Sequence, residues 1–448
     1  MMAGGRMSDA SRTTEREVST QDAPPAHLCI KWVWPLRRVE ILQGSRLSLG
    51  RDEKNAIRLD GIGVSRLHAE LYRQGPLYVL HDLGSTNGTW LGGRPIVHAP
   101  VVPDSVIRIG EWVGVFSQDM HPYVEFGELA PGIFGGGEIA ALLEPLRRAA
   151  SSNVPVLLIG DTGSGKERFA RAAHEFSGRE GPFIAVNCAA LPEQLAEGEL
   201  FGYRRGAFTG AERAHPGVFR AVHGGTLFLD EMPELSPNLQ AKLLRVVEDG
   251  EVTGLGEGVA VKVDVRIVSA SQTPLALLVA EKRLRQDLAA RLTGVELRLP
   301  ALSMRRSDIV SLFVEFLKRQ SGGRTPMIDA RVAEALSLHS WPQNVRELQM
   351  LTRTLLAVHG HEPKLLRQHL PENIGALCQG RSRGESKRDL PRVRSEYDLE
   401  RLERELSVNG GSVKEAARAL GISRQRIYRL LDGRTEGERN PTGNGVDN

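Results

Sequence analysis

The sequence predicts a multidomain chain: an all-β sandwich, then an α/β P-loop unit with an α-helical subdomain, then an all-α helix-turn-helix end. Three observations carry this. Between Leu28 and Tyr123 the chain is glycine-rich and built of short alternating segments, such as Arg46-Leu47-Ser48-Leu49, Leu77-Tyr78-Val79-Leu80 and Val106-Ile107-Arg108-Ile109. Turn signals at Thr86-Asn87-Gly88 and Gly92-Gly93 separate them, the pattern of a small sandwich. From Val154 onward short apolar runs alternate with helical stripes, which implies a parallel sheet. Beyond about Ala301 only helical periodicity remains, and near the C-terminus two short helical stripes flank Gly421-Ile422.

In chain order, residues 1–27 are polar and aperiodic and read as a disordered leader. Residues 28–123 form the sandwich, and Gly132-Ile133-Phe134-Gly135-Gly136-Gly137 reads as a flexible joint. The α/β unit spans 133–300. Its predicted elements are strands over Val154–Ile159, Thr226–Leu229 and Val263–Val268, and a helix over Lys166–Phe176 with Phe169, Ala170, Ala173 and Phe176 on one stripe. Residues 301–376 are the helical subdomain, 377–390 a charged linker, 391–434 the C-terminal helical module and 435–448 a tail.

The 448 residues are 41% hydrophobic and suit two to four domains. A net charge of +3 with 25% charged residues is too mild to argue for nucleic acid, so local clusters must do so. Cys29, Cys188 and Cys378 are odd in number and in no metal-ligand spacing, which points to a reducing compartment without a disulfide framework. No apolar run approaches the ~18 residues a membrane span needs. The N-terminus has no apolar stretch of a secretory signal, so a cytoplasmic location is expected.

Gly160-Asp161-Thr162-Gly163-Ser164-Gly165-Lys166 is a P-loop sequence, preceded by a strand and followed by a helix. Its glycines let successive N–H groups turn toward phosphate oxygens, the helix adds its positive end, and Lys166 supplies a point charge to the β- and γ-phosphates. The next residue is Glu167, where most P-loops carry a hydroxyl for Mg²⁺. Leu227-Phe228-Leu229-Asp230-Glu231 would deliver two carboxylates to a strand end. Asp230 would hold Mg²⁺ through water and Glu231 would polarise the attacking water of ATP hydrolysis. Alone, the same residues would also read as a solvated acidic turn.

In the C-terminal module, Ser412-Val413-Lys414-Glu415 is a capping box before a helix with Ala416, Ala417 and Leu420 on one side. Ser423 caps a second helix with Ile427 and Leu430 inward. Arg424, Gln425, Arg426 and Arg429 lie on its exposed side, suited to major-groove reading and phosphate contact with double-stranded DNA. A dimerisation hairpin is the plainer alternative. The preceding Tyr397, Leu399, Leu402 and Leu406 suit a dimer helix.

Gly206-Ala207-Phe208-Thr209-Gly210-Ala211 resembles the GAFTGA signature of sigma-54-dependent transcription activators, which are AAA+ ATPases. Glu199-Leu200-Phe201-Gly202, Asn187-Cys188-Ala189-Ala190, the Gly-Lys-Glu ending at Glu167, Gly224 through Glu231 and Asp264-Val265-Arg266 resemble the same family. Similarity covers about residues 133–376, and Asn409 through Leu431 resembles the family's Fis-type DNA-binding end. The resemblance implies that Phe208 and Thr209 form a loop tip touching sigma-54 RNA polymerase. It implies further that Asn187 senses the γ-phosphate by pairing with Glu231, that Arg285 and Arg291 are arginine fingers reaching a neighbour's site, and that Arg346 is the lid arginine. Fingers acting across subunits imply a homo-oligomer, from dimer to hexameric ring. Five residues at three sites depart from the family pattern: Ser271-Gln272 for Thr-Asn, Ala289-Ala290 for two aromatics, and Gln343 for the glycine before Asn344.

In the front domain, Gly50-Arg51, Ser65-Arg66-Leu67-His68 and Ser85-Thr86-Asn87-Gly88-Thr89 resemble the forkhead-associated (FHA) fold, which binds phosphothreonine peptides. The resemblance implies that Arg51 pairs with the phosphate, Ser65 and Thr86 approach it, Asn87 holds the peptide backbone and Arg66 meets flanking residues, with Gly50 and His68 architectural. The expected partner is a phosphothreonine protein or Ser/Thr kinase, and Thr13 or Thr14 of the leader is a candidate target. Two rivals remain at this point: another AAA+ machine, and a DNA-binding adaptor whose ATPase is silent.

Overall fold

The computed structural model describes residues 28–75, 77–118, 124–322 and 325–378, together with residues 406–407, 412–413 and 415–416. The leader, most of the linker and the tail lie outside these residues. So does nearly all of the DNA module, including Ser423, Arg424, Gln425, Arg426 and Arg429. Of that module's expected features, the Ser412 cap is described: Ser412 Oγ accepts the Glu415 N–H at 3.3 Å and its carbonyl accepts the Ala416 N–H at 2.9 Å.

The front domain has the expected two sheets. Its strands are β1 (Cys29–Trp34), β2 (Arg38–Ile41), β3 (Arg46–Gly50), β4 (Ile57–Arg58), β5 (Ala69–Gln74), β6 (Leu77–Asp82), β7 (Thr89–Leu91), β8 (Arg94–Ile96), β9 (His98–Val101), β10 (Val106–Ile109) and β11 (Trp112–Ser117). One sheet runs β2-β1-β11-β10-β7-β8 and the other β4-β3-β5-β6-β9. Between them pack Ile30, Trp32, Leu49, Leu71, Leu80, Ile107, Ile109, Trp112 and Phe116. The alternate residues Val33, Val106, Val113 and Val115 point the other way into a second core, which they share with the helical subdomain. Strands β1, β10 and β11 are therefore buried on both faces.

The glycine stretch at 132–137 is no loose joint. Gly127–Ala130 (β12) and Ile133–Gly135 (β13) form an antiparallel hairpin that runs into helix α1 (Gly137–Ala150). Ile133 is buried against Ile139, and the Gly136 N–H donates to Asp308 Oδ2 at 3.2 Å. The glycines do mark a turn, but they are packed against side chains: a Cβ on Gly135 would lie 2.5 Å from Ile139 and one on Gly136 3.1 Å from Asp308 Oδ1.

The α/β unit contains β14 (Val156–Ile159), α2 (Lys166–Ser177), β15 (Phe183–Asn187), α3 (Glu193–Phe201), α4 (Val218–Ala221), β16 (Thr226–Asp230), α5 (Pro237–Asp249), β17 (Glu251–Val252), β18 (Val261–Lys262), β19 (Arg266–Ser271), α6 (Leu275–Ala280), α7 (Gln286–Leu292) and β20 (Val295–Arg298). The all-parallel sheet runs β15-β16-β19-β14-β20. The third predicted strand begins at Arg266 rather than Val263. Arg266 is buried, and its guanidinium donates to the carbonyls of Ala149, Ala150, Ser152 and Val154. The helical subdomain holds α8 (Arg306–Gln320), β21 (Met327–Ile328), α9 (Ala330–Leu338), α10 (Asn344–His359), β22 (Lys364–Leu365) and α11 (Glu372–Gly375). The parallel pair β21–β22 is too short to show as periodicity.

Helices α8 and α9 lie on the outer face of the β1–β11–β10 sheet. Arg108 on β10 reaches Glu334 on α9 at 2.6 Å, with the two side chains 8% and 0% exposed, and Arg108 stacks on Trp90. Arg37 donates to the Ser307 carbonyl (2.9 Å) and Ser311 Oγ (2.6 Å) of α8 and lies 3.8 Å from Asp308. The sandwich and the helical subdomain thus share one apolar core and two charged contacts.

Candidate functional site

Strand β14 is fully buried and delivers the chain to Gly160 at the sheet's C-terminal edge. Gly163 (φ 75°) and Gly165 (φ 108°) adopt backbone that side chains disfavour, which curls the loop before α2 begins at Lys166. A Cβ at Gly163 would also fall 2.2 Å from the Gln343 carbonyl. Gly165 offers no capping side chain, so the first N–H groups of α2 stay available to an anion. Lys166 is buried, and its Nζ donates to the Gly160 carbonyl at 2.8 Å. Ser164 Oγ is buried without a hydrogen-bond partner among the described residues. Glycine curl, free helix end, lysine and orphaned hydroxyl together fit a polyphosphate.

Strand β16 brings Asp230 and Glu231 to the same edge. Glu231 sits at φ 51°, and its N–H donates to Asp230 Oδ1 at 3.2 Å. Glu231 Oε1 lies 3.8 Å from Lys166 Nζ. Burial pushes the Asp230 carboxyl up; Lys166 opposes this and Glu231 adds to it. Burial also pushes the adjacent Cys188 thiol up to about 12, helped by the charges of Asp230 and Glu231, so Cys188 is a neutral spacer. Asp230, at the strand end near Lys166, is the carboxylate here that could hold a magnesium ion. The side chain of Glu167, which stands where a hydroxyl ligand is usual, is turned to Arg171 at 2.8 Å.

The expected pairing of Asn187 with Glu231 is not what the structure contains. Asn187 ends β15 beside Asp230, but its side-chain oxygen accepts the Ala189 N–H at 3.0 Å and caps the short helix 188–190. The amide that meets Glu231 belongs to Gln272, at 2.8 Å. The Ala189 bond uses the acceptor oxygen of Asn187 and fixes the orientation of its amide, whose NH2 makes no hydrogen bond to Glu231.

The helical subdomain closes over the loop. Asn344 donates to the Thr162 carbonyl (2.9 Å) and accepts from the Leu302 N–H (2.7 Å), and the Val345 N–H donates to the Gly163 carbonyl (3.0 Å). Gln343 needs no glycine, because its φ is −105°. Arg346 is exposed, its Cβ only 3.1 Å from where a Cβ on Gly163 would lie. The two expected fingers are also at the surface. Arg285 forks onto Asp287 (2.7 and 3.0 Å), and Arg291 pairs with Glu248 (2.8 Å). Of the two alanines between them, Ala289 is buried in the core and Ala290 is exposed.

Residues 206–211 cap an excursion closed by a bridge between Tyr203 and His215. The Gly206 N–H donates to the Ala211 carbonyl at 2.8 Å and the Ala211 N–H to the Phe208 carbonyl at 3.0 Å. A Cβ added to Gly206 (φ 77°) or Gly210 (φ 100°) would meet no atom within 4 Å, so backbone geometry rather than crowding demands these glycines. Phe208 rests edge-on on Tyr203, 5.0 Å between centroids, yet remains 42% exposed, and Thr209 is exposed beside it. Leu255 and Gly256 of a second loop pack against Tyr203, Arg204 and Ala207, and the same loop carries the exposed Val259.

In the front domain three loops converge. The Arg51 N–H donates to the Ser65 carbonyl (2.9 Å), and the Thr86 N–H donates to Ser65 Oγ (3.2 Å). Ser65 Oγ and Thr86 Oγ1 are 3.5 Å apart, and Asn87 donates to the Gly63 carbonyl (2.9 Å). Arg51 and Arg66 lie at this end of the sandwich, with Arg66 exposed. His68 is wholly buried between the Ser65 N–H and the Gly88 carbonyl, and burial lowers its basicity. Burial pushes the Asp82 carboxyl up, but bonds from Ser85 and Thr89 outweigh it and hold the group below its usual range. A Cβ at Gly50 would meet the Arg66 carbonyl at 2.3 Å. Gly50 and His68 are thus architectural, as expected, and Arg51, Ser65, Thr86 and Asn87 share one end of the sandwich.

A five-stranded parallel sheet with a P-loop, an acidic strand end and a helical lid defines a P-loop ATPase fold of the AAA+ class, here carrying a second, FHA-type domain. Residues 134–298 match the sigma-54 interaction domain, 47–110 the FHA domain and 303–387 the AAA+ ATPase lid domain, so the chain carries these three domains in that family's arrangement of interaction domain followed by lid. It is 40% identical over 297 residues to the transcriptional regulatory protein GlrR of Escherichia coli, covering 65% of each chain. It is 41% identical over 295 residues to the C4-dicarboxylate transport regulator DctD of Rhizobium meliloti, covering 65% of this chain and 61% of that one. The match therefore spans somewhat under two thirds of these relatives' length. Among solved structures, NtrX from Brucella abortus in complex with ATP is 33% identical, covering 66% of this chain and 67% of that one, with a TM-score of 0.48. Among the described residues no helix is long and apolar enough to cross a membrane.

Proposed function

We propose that this protein hydrolyses ATP as a ring oligomer and uses the cycle to remodel sigma-54 RNA polymerase from an upstream DNA site, under control of phosphothreonine recognised by the FHA domain. The observation that carries this is the exposed Phe208–Thr209 tip, displayed on glycine-hinged backbone by the same α/β unit that gathers Lys166, Asp230 and Glu231. An exposed aromatic on such a loop is costly unless a partner takes it up. Lys166 and the α2 N-terminus bind the phosphates and Glu231 takes the proton of the attacking water; Asp230 would hold Mg²⁺, and the ion would supply charge neutralisation at the phosphates. Arg285 and Arg291, held by the carboxylates of Asp287 and Glu248 at the surface, can exchange those partners for a neighbour's γ-phosphate. The C-terminal module supplies the DNA contact.

In Thr209→Ala, ATP turnover by the purified protein is expected to stay within about 3-fold of wild type while open-complex formation by sigma-54 polymerase is lost. Open complexes at the wild-type level would remove the loop from the coupling. For the FHA site, Arg51→Ala is expected to weaken a phosphothreonine peptide by about 10- to 100-fold, one charge-assisted bond's worth. Fluorescence anisotropy with phosphorylated and plain peptides reads this directly. Equal binding of the two peptides by the wild type would sink phosphate recognition.

A further inference from the structure

Three elements meet along one seam between the sandwich and the helical subdomain: the β1–β2 turn, the β12–β13 hairpin and one face of α8. They enclose a cleft of about 450 Å³, lined by residues from all three. That volume suits a small organic molecule, and seams between domains are where such sites concentrate. The apolar wall of the cleft is aromatic. Trp34 ends β1, Phe126 precedes β12 and Phe134 lies in β13, and each is half-buried against the shared core, as is Val314 of α8. Gly127 also lines the cleft. A Cβ there would meet no atom within 4 Å, so the wall is open at that point.

The charges around the cleft are unbalanced. Arg319 donates to Glu315 and to Glu128, both at 2.8 Å, and its guanidinium lies over the Phe134 ring at 4.3 Å. Both carboxylates of the lining are thus engaged by one arginine. Arg37, bonded to the Ser307 carbonyl and Ser311 Oγ, lies over the Phe126 ring at 5.1 Å. Lys318 is exposed at the same seam and has no ion-pair partner among the described residues. A cation entering here would have to displace Arg319 from Glu128 or Glu315, whereas an anion meets Lys318 with nothing to displace. The rings and the guanidiniums stacked on them are flat, and a flat guest stacks on such surfaces.

We propose that this cleft is a binding site for a planar aromatic carboxylate, with its ring among Trp34, Phe126 and Phe134 and its carboxylate on Lys318. None of the lining residues belongs to the P-loop or to the phosphopeptide loops, so the site stands independently of the activity proposed above. Its walls come from both the sandwich and the lid, and an occupant therefore braces the joint between them.

The test is a ligand-observed NMR titration of the full-length protein with cinnamate, repeated with ADP present. Cinnamate is expected to bind with a Kd of about 1 mM or tighter, as suits a ligand of its size, and ADP should leave this unchanged. The melting temperature should rise with cinnamate concentration. Cinnamyl alcohol and cinnamylamine keep the flat skeleton without the negative charge, and both should bind at least about 10-fold more weakly. Lys318→Glu is a surface change and should weaken cinnamate by about 10-fold or more. Gly127→Leu places a side chain in the open part of the cleft and should abolish binding. Arg51→Ala should bind cinnamate as wild type does, which separates this site from the phosphopeptide loops. No binding up to about 10 mM, equal binding of the alcohol or the amine, or wild-type affinity in Lys318→Glu overturns the proposal. Wild-type affinity in a Gly127→Leu protein that still melts cooperatively overturns it too, and if that variant loses its transition, Lys318→Glu decides.

Discussion

Lys166→Ala is expected to lower ATP turnover by about 100- to 1000-fold, the loss that follows removal of one preorganised charge from a developing oxyanion. The ammonium is buried, donates to the Gly160 carbonyl, and approaches Glu231 Oε1 at 3.8 Å. It therefore lies between the phosphate cradle and the general base. Alanine removes the charge that the γ-phosphate meets and one of the two anchors of Glu231. The fold should survive, because the strand and helix on either side are held by β14 and by Phe169, Ala170 and Ala173 in the core. Phosphate release against protein concentration, with a thermal melt of the same preparation, measures both. Turnover within about 3-fold of wild type would place hydrolysis at another site, and a lost melting transition would assign Lys166 to folding instead.

Much of this site is legible in the chain because its parts are local. A buried strand, a glycine turn and a helix are consecutive in sequence, so the P-loop carries its own context, as does the apolar run ending in Asp230-Glu231. The same holds for the front-domain loops, where Ser65 and His68 are three residues apart and bonded to each other. What the chain hides is what only tertiary proximity creates. Gln272 and Glu231 are 41 residues apart and meet because β19 lies beside β16, a strand order that periodicity does not encode. Family resemblance points Asn187 to Glu231, whereas in the structure its side chain caps residues 188–190 and the amide on Glu231 is that of Gln272. The shared core of sandwich and lid does leave a trace. Trp112-Val113-Gly114-Val115-Phe116 is apolar throughout, where a strand with one solvated face would alternate. That run is the mark of a strand covered on both faces, and it points to a second domain lying against the sandwich.

Glu334→Ala should destabilise that joint by about 3–5 kcal/mol, because it strands a buried guanidinium rather than merely deleting a contact. Arg108 and Glu334 are 8% and 0% exposed and bond at 2.6 Å. Around them Val106, Val113 and Val115 meet Ile309, Leu312, Phe313, Val332 and Leu336, so no water can replace the lost carboxylate without opening the packed face. The second oxygen of Glu334 has only the Cys378 thiol beside it, a weak donor that is also directed to the Arg331 carbonyl, so the pair is incompletely satisfied even when intact. Replacing both members, Arg108→Met with Glu334→Leu, should therefore recover most of the stability that Glu334→Ala loses. Differential scanning fluorimetry of the three proteins reads the result, at about 2–4 °C per kcal/mol for a unit of this size. An unchanged melting profile in Glu334→Ala would show that the sandwich does not lean on the lid. The consequence for control follows from the same contacts. Helix α9 carries Glu334, α8 packs on both α9 and α10, and α10 begins at Asn344 on the Thr162 carbonyl of the P-loop. Under the proposed control by phosphothreonine, a peptide that shifts the sandwich shifts the lid through Arg108 and Glu334. In Glu334→Ala, a response of ATP turnover to the peptide is expected to be lost while peptide affinity, read by fluorescence anisotropy, stays within about 3-fold of wild type.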